Sequence, residues 1–116
     1  MGMLRKLTVD RFGVAVIPVT NPEISSVGLA AARVLRNNPD RLGFNFVNLS
    51  VNDMYIAPFN DVSATKGIKV GPNGGSVATI WIEDFESVGV EWFVLATGAA
   101  SPLLMIEYVA EQAQKA

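Results

Sequence analysis

From Arg33 to Gly75 the chain alternates short β-rich runs with dense clusters of turn-forming residues. LGFNFVNL leads into the polar turn SVND and a second run, MYIAP. A long loop of Asn, Asp, Ser, Thr and Gly then precedes IKV and the turn GPNGG. Turn clusters spaced this way between β-rich runs are the mark of an antiparallel sheet. The stretch holds no recognisable catalytic constellation.

Within it, Leu42, Phe44 and Phe46 alternate with Gly43 and Asn45, which aims three large side chains at a core. Met54 and Ile56 face one way and Tyr55 the other, until Pro58 ends pairing. Asn37-Asn38-Pro39-Asp40 is a turn, because Asn tolerates left-handed dihedrals and Pro presets its own. The glycine-rich segment Gly71–Gly75 invites comparison with a phosphate loop. No Lys-Ser/Thr follows it and the strand–loop–helix setting is missing, so it reads as a hairpin turn.

Beyond that turn, Ser76 to Ile82 is apolar at nearly every position, the pattern of a strand covered on both faces. Glu91–Ala96 and Leu103–Val109 are two further strands joined by TGAASP. Ahead of the central stretch, Leu7 to Val19 reads as one or two strands, broken at Gly13 and ended by Pro18, or as an arm that packs on a neighbour. Asn21-Pro22-Glu23 has the form of a helix start, and Ile24, Val27, Ala31, Val34 and Leu35 share a helical stripe. Alternation fits the same residues, and we read a strand from about Val27 to Leu35.

These runs predict an all-β protein: a single antiparallel β-sandwich of jelly-roll or Greek-key type, or a small barrel, with at most one short helix. Residues 1–26 form an N-terminal arm or first strands, 27–109 the sandwich and 110–116 a tail. At 116 residues one core suffices without staples.

The chemistry is narrowed by what is absent. There is no Cys and no His, which removes disulfides, thiolate ligands, Ser-His-Asp and Cys-His catalysis, and the commonest general base. We expect no enzyme, no cofactor and no metal. Glu83, Asp84 and Glu86 form an acidic loop without the spacing of a calcium site. Net charge is −2, which gives no overall attraction to nucleic acid. The charge is uneven: residues 1–41 hold six basic and three acidic side chains, residues 42–116 three basic and eight acidic. No apolar run approaches the ~20 residues that span a bilayer, so no membrane partner is expected. The N-terminus resembles a signal peptide only loosely, since Asp10 and Arg11 interrupt it, and we read it as mature protein. Asn48-Leu49-Ser50 matches a glycosylation acceptor and is treated as accidental.

Half of the residues are hydrophobic and 17% are charged, against ~25% in a typical domain. A small chain of this composition is expected to cover part of its surface with other subunits. Tyr55, Phe59, Trp81 and Trp92 are candidates for an aromatic platform at an interface or under a sugar ring.

The run RVLRNNPDRLGFNFVNLSVNDMYIAP, followed by DVSATKGIKVGPNGGSV, resembles small β-sandwich virion structural proteins of tailed bacteriophages, of the capsid decoration or cement type. The resemblance is carried by Arg33, Asn38-Pro39, Arg41, Asn48-Leu49, Tyr55, Ser63 to Ile68, Gly74-Gly75 and Trp92, over roughly residues 27–109. It implies a structural role on the capsid surface, with the major capsid protein and further copies of itself, a homotrimer, as partners. Such a protein is made in the cytoplasm of the bacterial host. Residues 1–26 lie outside the resemblance, and Arg5, Lys6, Arg11 and Phe12 are the first candidates for contact with shell or neighbour. The alternative is a carbohydrate-binding or structural module of a tail fibre or baseplate.

Overall fold

Strand Ser101–Ala110 is the longest among the described residues, and most of the fold is arranged about it. The computed structural model describes residues 16–20, 22–80 and 85–110, with Met3, Lys6, Leu7 and Asp10 ahead of them and only the backbone at Phe85 and Glu86. The strands are β1 Val16–Val19, β2 Ser26–Val27, β3 Ala32–Leu35, β4 Arg41–Asn48, β5 Met54–Ala57, β6 Ile68–Val70, β7 Ser76–Ile80, β8 Trp92–Ala96 and β9 Ser101–Ala110. A 3₁₀ turn, Phe85–Gly89, precedes β8.

Two sheets result, and every pairing is antiparallel. Sheet I has the order β1-β9-β4-β7 and sheet II the order β3-β8-β5-β6. β1 pairs with the end of β9 and β2 with its start, so the two act as halves of one interrupted strand. Counted that way, the first strand pairs with the last, β3 with β8, β4 with β7, and β5 with β6. This nesting is what one long hairpin, bent at residues 58–67, makes when wound into two layers: a jelly-roll sandwich.

The inner faces supply the core. Phe44, Phe46, Leu103 and Met105 of sheet I meet Leu35, Met54, Ile56, Trp92 and Val94 of sheet II. The Phe44 and Trp92 rings pack edge to face, 5.0 Å between centroids at 72°, the arrangement aromatic quadrupoles favour.

Several expectations change. The strand read from Val27 to Leu35 is two strands, because the chain leaves sheet I at Val27, opposite Ser101, and enters sheet II at Ala32, opposite Val94. The helix alternative for this segment is not adopted. Leu7 and Asp10 take helical rather than extended backbone, and β1 begins at Val16. Pro18 does not end β1; it sits inside an edge strand, where its missing N–H removes no ladder bond from a second neighbour. The break expected at Gly13, with Phe12 and Val14, lies outside the described residues. So do Glu83, Asp84 and residues 111–116, whereas Ala110, expected to open the tail, is the last residue of β9.

Leu42 is only half-buried, because the register slips between Arg41 and Gly43. That bulge turns Arg41 inward and Leu42 aside. Gly71–Gly75 is a turn, with Asn73 at φ 59° and Gly74 at φ 102°, but no hairpin, since it carries the chain from sheet II to sheet I. β7 is covered on one face only: Thr79 is buried while Ala78 and Ile80 are exposed.

Candidate interaction surfaces

Winding the hairpin gathers connections 28–31, 49–53, 71–75 and 97–100 at one end of the sandwich. Backbone hydrogen bonds fasten them: Ala96 N donates to Gly28 O (2.8 Å), Asn73 N to Ser50 O (2.8 Å), Gly74 N to Asn48 O (2.7 Å) and Thr97 N to Asp53 O (3.0 Å). Asn48 is the hub. Its Nδ2 donates to Asn52 O (2.7 Å) and Val70 O (3.1 Å), and its Oδ1 accepts from Ser50 N (2.9 Å) and Oγ (2.7 Å). Fully buried and fully bonded, Asn48 is no glycan acceptor in the folded chain.

On this fixed backbone stand Leu29, Leu49 and Val51, exposed to 69%, 51% and 77%. The only charged residue in the four connections is Asp53, which Lys69 Nζ approaches at 3.8 Å.

A second apolar surface is the outer face of sheet I. β9 places Leu104, Ile106 and Tyr108 there, with Asn45 and Val47 of β4 beside them. Ala78 and Ile80 of β7 extend it on one side and Pro18 of β1 on the other. Sheet II differs. Its outer face carries Arg33 and Lys69, and the 58–67 loop returns over part of it. A Cβ built on Gly67 would lie 2.7 Å from Val62 Cγ2 and 3.4 Å from Tyr55 Cβ, which shows how closely that loop approaches β5.

The aromatic platform does not include Trp92, which is 4% exposed and packs in the core with its Nε1 donating to Ser87 O at 2.9 Å. A sugar ring has no access to that indole. Trp81 lies outside the described residues. Tyr55 is half-buried on sheet II, and exposed Phe59 has Lys66 Nζ 5.7 Å from its ring centroid. Of the proposed N-terminal contacts, Arg5, Arg11 and Phe12 lie outside the described residues, whereas Lys6 is exposed and pairs with Asp10 at 3.6 Å.

The basic excess of the first third does not form a free positive patch among the described residues. Glu23 accepts from both Arg33 and Arg36, and Arg33 Nη1 also donates to Glu91 at 2.7 Å. The hydrogen bond from Arg33 holds the Glu23 carboxyl below its ordinary range, and Glu23 raises Arg33 in return. Asp61 is lowered in the same way by its hydrogen bond from Lys66.

Arg41 is inside the protein. Its Nε donates to Glu107 Oε1 at 2.8 Å, and its Nη atoms donate to the carbonyls of Val88, Val90 and Arg36. A cleft of about 190 Å³ opens beside this pair, lined by Val19, Arg36, Asn38 and Val109 as well. With four of its five N–H groups on the protein's own acceptors, Arg41 is committed to the fold. Among the described residues no three of His, Cys, Asp and Glu gather as a metal site.

Comparison with protein-family models, curated proteins and solved structures gave no match. The geometry therefore carries the functional reading, and its salient features are the two apolar surfaces. Sequence reasoning named neither. The signal for the first was the uncharged composition of four connections that only the topology brings together. For the second it was the apolar outward phase of β7 and β9.

Proposed function

We propose that the chain is a structural protein of a phage virion, a decoration or cement protein that binds the outside of the head and stabilises the shell. The resemblance over residues 27–109 supports this reading. So does the jelly-roll, an architecture that recurs in viral capsid proteins, though also in lectins and cupins.

The observation that carries the reading is the loop end. Leu29, Leu49 and Val51 are held out into water by backbone that is itself fastened. Side chains so placed gain about 25 cal/mol per Å² when another surface covers them, and their fixed backbone means little ordering entropy opposes that contact. The loop end, with the N-terminal segment that carries Arg5, Lys6, Arg11 and Phe12, grips the major capsid protein. A closed homotrimer would suit a local three-fold position of the shell. Stabilisation follows from linkage: a protein that binds assembled subunits, and not free ones, favours the assembled state.

The test is the copy number of this protein in purified particles of its source virus, relative to the major capsid protein, by quantitative mass spectrometry. A number comparable with that of the capsid protein is expected. A few copies would move it to a vertex, portal or tail, and none would remove the virion reading.

A further inference from the structure

We infer that the outer face of sheet I is the surface through which copies of this chain associate. The inference concerns the free chain in solution and does not rest on the virion reading.

Its first ground is charge. Among the described residues, no Asp, Glu, Lys or Arg lies on that face of β1, β4, β7 or β9, although 17% of the chain is charged. The outer face of sheet II carries Arg33 and Lys69. Close to a rotation axis the same side chains of the copies approach one another, so a charge there meets its own copies, and like charges face to face are costly. A partner of opposite charge would be matched by charged side chains here. A neutral face fits a second copy.

The second ground is polar satisfaction. Asn45 and Tyr108, near the middle of the face, bond to each other, with Asn45 Nδ2 donating to the Tyr108 hydroxyl at 2.9 Å. Desolvation there leaves that pair its partner, and the usual penalty for covering unbonded polar groups is reduced.

The third ground is size. At ~3.4 Å per residue and ~4.8 Å between strands, the paired strands of sheet I project roughly 500 Å². Side chains standing off the sheet raise its accessible area above that projection. A standard interface buries about 800 Å² per partner and weaker ones less than about 600 Å², so the face is of the right order for a small, reversible contact between copies.

The test is the mass of the full chain by sedimentation equilibrium over a range of concentrations. The wild type is expected to have the mass of a dimer or trimer. Leu104→Glu and Ala78→Lys, both at exposed positions of the face, are expected to lower it to that of a monomer, with an unchanged far-ultraviolet circular dichroism spectrum. Ile68→Glu, at an exposed position of sheet II, should retain the wild-type mass. A second readout does not depend on introduced charge. The chain has no Cys, so Leu104→Cys supplies one thiol, expected to be shielded from a bulky maleimide as concentration rises, whereas an Ile68→Cys thiol reacts throughout. A monomeric wild type, an unchanged mass in both face variants, or a thiol at position 104 that stays reactive in the associated state would overturn the inference.

Discussion

Arg41 and Glu107 form an ion pair inside the sandwich, Nε to Oε1 at 2.8 Å, with side chains only 1% and 7% exposed. The pair joins neighbouring strands β4 and β9 of sheet I. Its remaining bonds reach the turn before β8 through Val88 and Val90 and the end of β3 through Arg36. One guanidinium thus joins the two layers where their connections cross. Removing one member of a buried pair strands the other, at a cost of about 3–5 kcal/mol. Arg41→Met also frees three carbonyls, so it is expected to lie at the upper end and to leave a marginal fold, given total stabilities of about 5–15 kcal/mol. Glu107→Gln keeps an acceptor for Arg41 but leaves its guanidinium without a counter-charge, and should fall at the lower end of that range, about 3 kcal/mol. Urea denaturation measures both. Equal stability of Arg41→Met and wild type would show that the pair is not buried as described.

Asn48 gives a second, independent test. Its amide meets two carbonyls and its carbonyl meets two Ser50 donors, so neither half can be replaced without loss. Asn48→Ala is expected to destabilise by about 2–4 kcal/mol through buried groups left unbonded. Asn48→Asp is nearly isosteric but turns a carboxylate oxygen towards the carbonyls of Asn52 and Val70, and should be at least as damaging at neutral pH. Thermal unfolding ranks the two, and an Asn48→Asp protein as stable as the wild type would remove Asn48 from its role as hub.

The sequence made the sandwich legible wherever strand phase and burial agree. Phe44 and Phe46, Met54 and Ile56, and the alternation along β8 and β9 all follow the two-residue period. It failed where a non-local event sets the phase. The bulge after Arg41 reverses what alternation implies there, hiding a buried arginine behind Leu42. The partner acid was readable in principle, because Glu107 follows Leu103 and Met105 at the inward spacing of LLMIEYV. Gly28–Ala31 is apolar enough to continue a strand, and nothing local says that the chain changes sheets there. Residue types at Gly71–Gly75 specify a tight turn but not which strands it joins. The apolar loop end was illegible for the same reason, being assembled from four separate segments.

The surface network around Glu23 should leave an acid signature. Glu23 is held below its ordinary range chiefly by the hydrogen bond from Arg33, so its contribution is present above the usual glutamate range and is lost as pH falls through the depressed value. Glu23→Gln is therefore expected to be less stable than wild type near neutral pH, with the difference closing as the carboxyl protonates. High salt should shrink it too, since the partners are partly solvated. A gap that stays constant from neutral to strongly acidic pH would mean that the charge of Glu23 contributes nothing.

For the loop end, the informative change is Val51→Asp. Val51 is the most exposed of the three large side chains there, so the substitution should leave folding nearly untouched, within about 0.5 kcal/mol. Binding to emptied particles should weaken by about tenfold or more if Val51 is covered on the shell, the effect of losing a contact worth over ~1 kcal/mol. A cosedimentation assay with particles stripped of this protein reads the difference. Unchanged occupancy would take the loop end out of shell contact without touching the association inferred for sheet I.

The N-terminal segment divides into two parts that truncation should separate. β1, Val16–Val19, pairs residue by residue with the end of β9 and is part of the sandwich, whereas Arg5, Lys6, Arg11 and Phe12 precede it. Removing residues 1–12 is expected to leave the unfolding midpoint close to that of wild type and to reduce particle binding. Removing residues 1–20 strips an edge strand from sheet I, exposes the inward side of β9 near Glu107, and should lower the midpoint markedly. The comparison isolates attachment from folding. Full binding by the shorter truncation would exclude Arg5, Lys6, Arg11 and Phe12 from shell contact, and equal midpoints for the two would mean that β1 adds little to the sandwich.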